Sequence, residues 1–117
     1  MRREELYLKD IVEAAESIHS FIHDVEKNDF VNNDLVRSAV LQKLTIIGEA
    51  AARLPKDFLN RHAEIEWSDI VAFRNIAVHA YFVVDWSIVW YTATHDVPDL
   101  QGLVAQIIAT EYPETKD

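Results

Sequence analysis

Arg74, Asn75, His79 and Tyr81 place a cation, an amide, an imidazole and a phenol in the otherwise apolar stretch Phe73-Arg74-Asn75-Ile76-Ala77-Val78-His79-Ala80-Tyr81-Phe82. Such groups are rarely buried unpaired, because each unsatisfied one costs free energy. Two arrangements meet the requirement: a buried network in which the four satisfy one another, or a cleft in which a ligand does. One chemistry for which such a set suffices is metal-free cleavage of a ribose phosphodiester. An imidazole that titrates near neutral pH can take the proton of a ribose 2′-hydroxyl. A guanidinium can bind two non-bridging phosphate oxygens and stabilise the charge that develops. Arg74 and His79 are therefore the candidate catalytic residues, with Asn75 as a supporting contact that orients the imidazole or meets phosphate. Tyr81 can be a core aromatic with a tied hydroxyl, or a platform on which a single-stranded base stacks.

A single straight helix does not bring these groups together. At 3.6 residues per turn, Arg74 and Tyr81 lie within about 20° of each other. Asn75 and His79 share a face, but His79 falls about 140° from Arg74. The spacing calls for a helix that ends or bends near His79, or for a pocket that joins Arg74 of one subunit to His79 of another.

The elements around the motif are helical. Leu8, Ile11, Ala15, Ile18, Ile22 and Val25 repeat at intervals of three and four, predicting a first helix from about Glu4 to Glu26, its stripe broadened by Leu6, Val12 and Phe21. Residues 27–34, rich in Asn and Asp, read as a turn. A second helix follows over Asp34–Leu54, with Val36, Val40, Leu44, Ile47, Ala51 and Leu54 on one face and Leu35, Ala39, Ile46 and Ala50 on another. Two apolar faces fit a subunit interface, with Gly48, Ala50, Ala51 and Ala52 allowing close approach, or a helix central to one chain. Glu49 is a stripe-edge surface residue or a partner for Arg74 or Arg53. Pro55 suits the first turn of a short helix over Lys56–Arg61, and Arg53, Lys56 and Arg61 form the densest basic cluster.

Ser68 is the expected N-cap of the motif helix, and Asp85 that of a helix carrying Trp86, Val89, Trp90 and Ala93 to about Thr94. His95-Asp96-Val97-Pro98 reads as another junction, Asp96 capping and Pro98 opening the last helix, with Leu100, Leu103, Val104, Ile107 and Ile108 inward. The sum is an all-α, up-and-down bundle of four to five helices, one domain over residues 1–112 with a polar tail over 113–117.

Composition narrows the function. Half of the 117 residues are hydrophobic, enough for a core, which a helical domain of this size often completes by dimerising. There is no cysteine, hence no disulfide and no thiolate metal site. His19 and His23 stand four apart on the first helix, but two imidazoles leave a zinc site incomplete, and no metal or other cofactor is expected. The N-terminus leads into an amphipathic segment, and no apolar run reaches the ~20 residues of a membrane span, so a cytoplasmic protein is expected. A net charge of −9 disfavours avid, non-specific RNA binding, leaves room for a local basic cleft, and would equally suit a basic partner protein.

Arg74-x4-His79-x-Tyr81 resembles the signature of the HEPN superfamily, and more narrowly that of the HepT-like toxins of HEPN–MNT toxin–antitoxin systems. The likeness spans nearly the whole chain: Ile46-Ile47-Gly48-Glu49-Ala50-Ala51 with Arg53-Leu54-Pro55, then Ile65-Glu66-Trp67, the motif, and Phe82-Val83-Val84-Asp85-Trp86-Ser87-Ile88-Val89-Trp90. The sequence departs from the common pattern at Ala72, at Ala80 where Glu is frequent, and at Gln42 where Arg is common. The resemblance implies a homodimeric HEPN-like bundle in which two motifs meet and Arg74 and His79 cleave RNA, tRNA or mRNA, without metal, leaving a 2′,3′-cyclic phosphate and a 5′-hydroxyl. It further implies a type VII-like system with a partner: an MNT-type nucleotidyltransferase antitoxin that neutralises the toxin by AMPylation of Tyr81. The alternative is a non-catalytic HEPN module that binds a nucleotide or a partner and cuts nothing.

Overall fold

The computed structural model describes residues 3–79 and 85–113, with Ala77, Val78 and His79 described by their backbone alone. Among the described residues the chain is all-α, as its apolar periodicity predicts, with an HEPN-like succession of helices. The elements are α1 (Arg3–Ile22), α2 (Lys27–Val31), α3 (Asp34–Ala52), α4 (Lys56–Arg61), α5 (Trp67–Val71), α6 (Phe73–His79), α7 (Trp86–Tyr91), a π-helical turn (Thr92–Asp96) and α8 (Val97–Glu111).

α1 is the middle rod of three. Its buried face, Leu8, Ile11, Ala14, Ala15 and Ile18, packs on α3 to one side and α8 to the other. Both neighbours run antiparallel to it: Tyr7 and Asp10 near its start lie beside Glu49 and Arg53 near the end of α3, and Lys9 lies beside Ile108 and Ala109 near the end of α8. α1 stops at Ile22, short of the predicted Glu26, because Asp24 turns the chain with a φ of 66°. Asp tolerates that left-handed conformation better than most residues. Leu6 and Phe21, expected to broaden the stripe, are exposed instead.

Three other expectations are corrected. The segment read as a turn contains α2, because Phe30 is fully buried between Trp86 and Trp90, its ring centroid 6.3 Å and 5.1 Å from theirs. Burial of that one ring outweighs the turn preference of its Asn and Asp neighbours. α3 is capped by Asn33, whose side chain accepts from the Val36 N–H. The helix at the motif starts at Trp67, one residue before Ser68, and Glu66 at its N-cap makes no side-chain cap. Trp67 is buried against Phe58 and donates its indole N–H to the His62 carbonyl at 2.9 Å, which fixes the entry of the chain.

The third correction concerns residues 95–98, which are no junction. Asp96 has helical angles and no capping bond, and the rod runs on through the π turn into α8 with Pro98 in its first turn. A proline in a regular α-turn would press on the carbonyl of Thr94 and leave it unpaired; the wider turn accommodates it. The Thr94 hydroxyl donates back to the Trp90 carbonyl at 2.8 Å, a bond that also distorts helices. Asp85 does cap α7, accepting from Ser87 N–H at 3.0 Å.

The far end of α8 is tied down by charge. Glu111 accepts from Arg61 at 3.0 Å and meets the His62 ring at 2.6 Å. Partial burial pushes the Glu111 carboxyl up, but the hydrogen bonds from Arg61 and His62 outweigh it and hold the group below its ordinary value of 4.5. A carboxyl lowered in the folded state stabilises fully above its unfolded pKa and loses that stabilisation as pH falls through the folded one. The pair is partly exposed, so solvent screens it. Glu111→Gln is expected to lower Tm at pH 7 by about 1–5 °C, a gap that narrows below pH 4. Thermal melts by circular dichroism at the two pH values check this; an equal gap at both would refute the ionic origin.

Candidate active site around Arg74

The motif helix is two helices. α5 ends at Val71, Ala72 turns the chain, and α6 carries Arg74, Asn75 and the backbone of His79. The bend is marked by a tight bond from Asn75 N–H to the Ala72 carbonyl at 2.9 Å. It lies before Arg74; the stretch just after His79, where the spacing argument sought a helix end or bend, lies outside the described residues.

α3 determines where that bend sits. A Cβ added at Gly48 would stand 2.6 Å from the Arg74 backbone nitrogen, 3.0 Å from the Arg74 Cβ and 3.0 Å from the Val71 carbonyl oxygen. Only a residue without a side chain lets α3 pass this close. The close approach expected of Gly48 is therefore made inside the chain, and α3 is central, packing on α1, α2, α5 and α6. Ala50 and Ala51 are buried with it, whereas Leu35, on the second apolar face, is 79% exposed.

The next residue on α3, Glu49, receives the guanidinium. Arg74 Nη1 donates to Glu49 Oε1 at 3.4 Å, and the two side chains are 39% and 47% exposed. This is one of the partners the sequence offered for Glu49. The contact is long and half-solvated, so it holds Arg74 loosely. Among the described residues the rest of the Arg74 fork meets no protein acceptor, leaving donors for an oxyanion.

Asn75 is exposed, and its side chain makes no hydrogen bond among the described residues. The side chain of His79 and the whole of Tyr81 lie outside the described residues, as does Ala80. Among the described residues Arg74 is half-exposed and Asn75 faces solvent, so neither sits in a buried network.

Glu49 also lines a cleft of about 270 Å³ between α1 and α3, with Tyr7, Asp10, Thr45, Ile46 and Arg53. Arg53 is exposed and has no acidic partner among the described residues. Sequence reasoning passed over Tyr7, Asp10 and Thr45; Thr45 shares the α3 face of Glu49 one turn earlier, whereas Tyr7 and Asp10 come from α1 and reach it only through the antiparallel pairing of α1 and α3. Of the basic cluster, Arg61 is occupied by Glu111 and Asp57. His19 and His23 lie with ring centroids 5.5 Å apart, and no group of three or more potential metal ligands occurs among the described residues. No helix of the described residues is long and apolar enough to cross a membrane.

Comparison with known proteins gives this geometry a family. The model described as "Ribonuclease HepT-like" matches residues 11–107. A protein of Thermococcus cleftensis named as a probable ribonuclease HepT is 41% identical over 96 residues, covering 82% of this chain and 87% of its own. One from Methanocaldococcus jannaschii, whose name carries a provisional RNase assignment, is 37% identical over 95 residues, 81% of this chain and 87% of that one. Another so named, from Caldanaerobacter subterraneus subsp. tengcongensis, is 32% identical over 105 residues, 90% and 94% of the two chains. No solved structure matches the chain significantly. The matched region takes in α3, the bend and α6, and the chain belongs to the HepT-like ribonuclease family of the HEPN superfamily.

Proposed function

We propose that this chain is a metal-independent endoribonuclease, the toxin of an HEPN–MNT pair, with Arg74 and His79 as its catalytic residues. The observation that carries the reading is Arg74 itself: a guanidinium whose backbone packs against Gly48 and which, among the described residues, is held by one long contact to Glu49, leaving donors for an anion. His79 takes the proton of the 2′-hydroxyl. The 2′-oxygen attacks phosphorus, the bond to the 5′-oxygen breaks, and an imidazolium returns the proton to that oxygen. Arg74 stabilises the non-bridging oxygens throughout. The products are a 2′,3′-cyclic phosphate and a 5′-hydroxyl.

The rotation between Arg74 and His79 along α6 supports a homodimer in which two motifs face one cleft, each subunit supplying what the other turns away. Control falls to Tyr81. Its phenolic oxygen attacks the α-phosphorus of ATP held by the nucleotidyltransferase, pyrophosphate leaves, and the AMP adds bulk and negative charge that repel RNA.

The test uses partner-free protein, shown by intact mass to carry no AMP, incubated with total tRNA in EDTA beside His79→Ala. Cleavage by wild type alone, with cyclic phosphate ends, is the expected result. No cleavage by the unmodified wild type would overturn the nuclease and favour the non-catalytic binding module, to which the net charge of −9 lends some support.

A further inference from the structure

We propose that the groove between α5 and α8 is a docking site for a basic amphipathic helix of a protein partner. The groove encloses about 270 Å³ over an apolar floor made by Ile70 and Phe73 on one side and Leu100 and Leu103 on the other. Leu103 is 43% exposed at its open edge, in an otherwise well-buried core. Charge of one sign flanks this floor on both sides: Glu66 and Asp69 beside α5, Asp96 and Asp99 beside α8. All four carboxylates are exposed, and none has an ion pair or a side-chain hydrogen bond among the described residues.

The chemistry of the occupant follows from that layout. The carboxylates stand apart across an apolar strip, and no three of them converge on a metal position. RNA is repelled by four like charges. What fits is a helix with apolar side chains at i, i+3 or i+4 and i+7 for the floor and Lys or Arg on either side for the two acidic margins. A second copy of this chain is a poor source, since it carries 20 acidic against 11 basic residues. The groove also lies behind the candidate active site: Phe73, the first residue of α6, is part of its floor, while Arg74 turns about 100° away toward α3. The docking site stands whether or not the chain cuts RNA.

The probe is a fluorescein-labelled 16-residue peptide with Leu at helical spacing and Arg on both flanks; a scrambled peptide of the same composition is the control. Anisotropy titrations use the full chain. The helical peptide is expected to bind at least about tenfold tighter than the scramble, and to lose about tenfold or more with Asp69→Lys/Asp99→Lys and with Leu103→Asp. Glu13→Lys/Asp29→Lys, which changes the net charge equally on other faces, is expected to keep binding within about twofold. Circular dichroism confirms that each variant is folded. Equal binding of scramble and helix, or groove variants that bind like wild type, would overturn the proposal. So would a wild-type dimer that Asp69→Lys/Asp99→Lys dissociates, because the occupant would then be a second copy. These readouts contain no RNA, so a failed nuclease assay leaves them unaffected.

Discussion

Alanine at His79 is expected to lower RNA cleavage by about 10²–10⁴-fold, the range for losing a general acid–base group. Alanine at Arg74 is expected to lower it by about 10²–10³-fold, the range for losing one donor to developing charge. Arg74→Lys keeps the charge but not the two-pronged fork, and falls between wild type and alanine. The distinction from a structural role is internal to the site. Arg74 is 39% exposed and, among the described residues, bonded to Glu49 alone, itself 47% exposed, so its truncation strands no buried partner there, and folding is expected to stay near wild type. Single-turnover cleavage of saturating tRNA in EDTA, with thermal melts alongside, reads both. A folded Arg74→Ala or His79→Ala that cuts at the wild-type rate would remove that residue from the mechanism.

Glu49 sharpens the same experiment. Its carboxylate competes with phosphate for the Arg74 guanidinium at a long 3.4 Å contact. Exposed pairs of this kind are worth up to about 1 kcal/mol, so Glu49→Gln should lower KM by up to about fivefold and leave kcat near wild type. A rise in KM would mean instead that Glu49 positions Arg74 for the substrate, and the pair would have to be read as a support rather than a competitor.

The all-α class and the three long rods are legible in the sequence because their stripes are long: Leu8 to Ile18, Val40 to Ala51 and Leu100 to Ile107 each repeat over several turns. What the sequence concealed is decided by single residues whose worth depends on distant partners. Phe30 makes a helix of an Asn-rich segment only because two tryptophans of α7 wait for it. Trp67 starts α5 ahead of the better capping residue Ser68, through a bond to a carbonyl five residues back. The π turn has no period of its own to read; Thr94 and Pro98 hint at a distortion, yet the same residues fit a break equally well.

The candidate site divides in the same way. Residue types pointed to Arg74, His79 and the chemistry between them, and Glu49 was visible as a possible counter-charge. The bend at Ala72 was not, since nothing in Val71-Ala72-Phe73 breaks a helix. It follows from the passage of α3 against the backbone of the motif, a contact between residues far apart in the chain.

The two glycines of the chain give the sharpest test of that contact, because the same substitution is expected to act in opposite directions. Each sits inside a helix, where alanine is favoured over glycine by about 0.8–1 kcal/mol. Gly102, on α8, has nothing within 4 Å of an added Cβ, so Gly102→Ala is expected to raise Tm by a few degrees, about 3–6 °C. At Gly48 the added methyl meets the Arg74 backbone nitrogen at 2.6 Å, and backbone cannot rotate away as a side-chain tip can. Overpacking of this kind costs about 1–3 kcal/mol, which exceeds the gain in helix propensity, and Gly48→Ala is expected to lower Tm by about 3–12 °C. The shift needed to relieve the clash moves Arg74, and a displacement near 1 Å at a positioning contact can cost about 10²-fold in rate. Gly48→Ala should therefore lose cleavage in the protein that remains folded, while Gly102→Ala retains it. A Gly48→Ala protein as stable and as active as wild type would show that α3 and α6 can separate freely, and that Arg74 owes its position to something other than the absent side chain at Gly48.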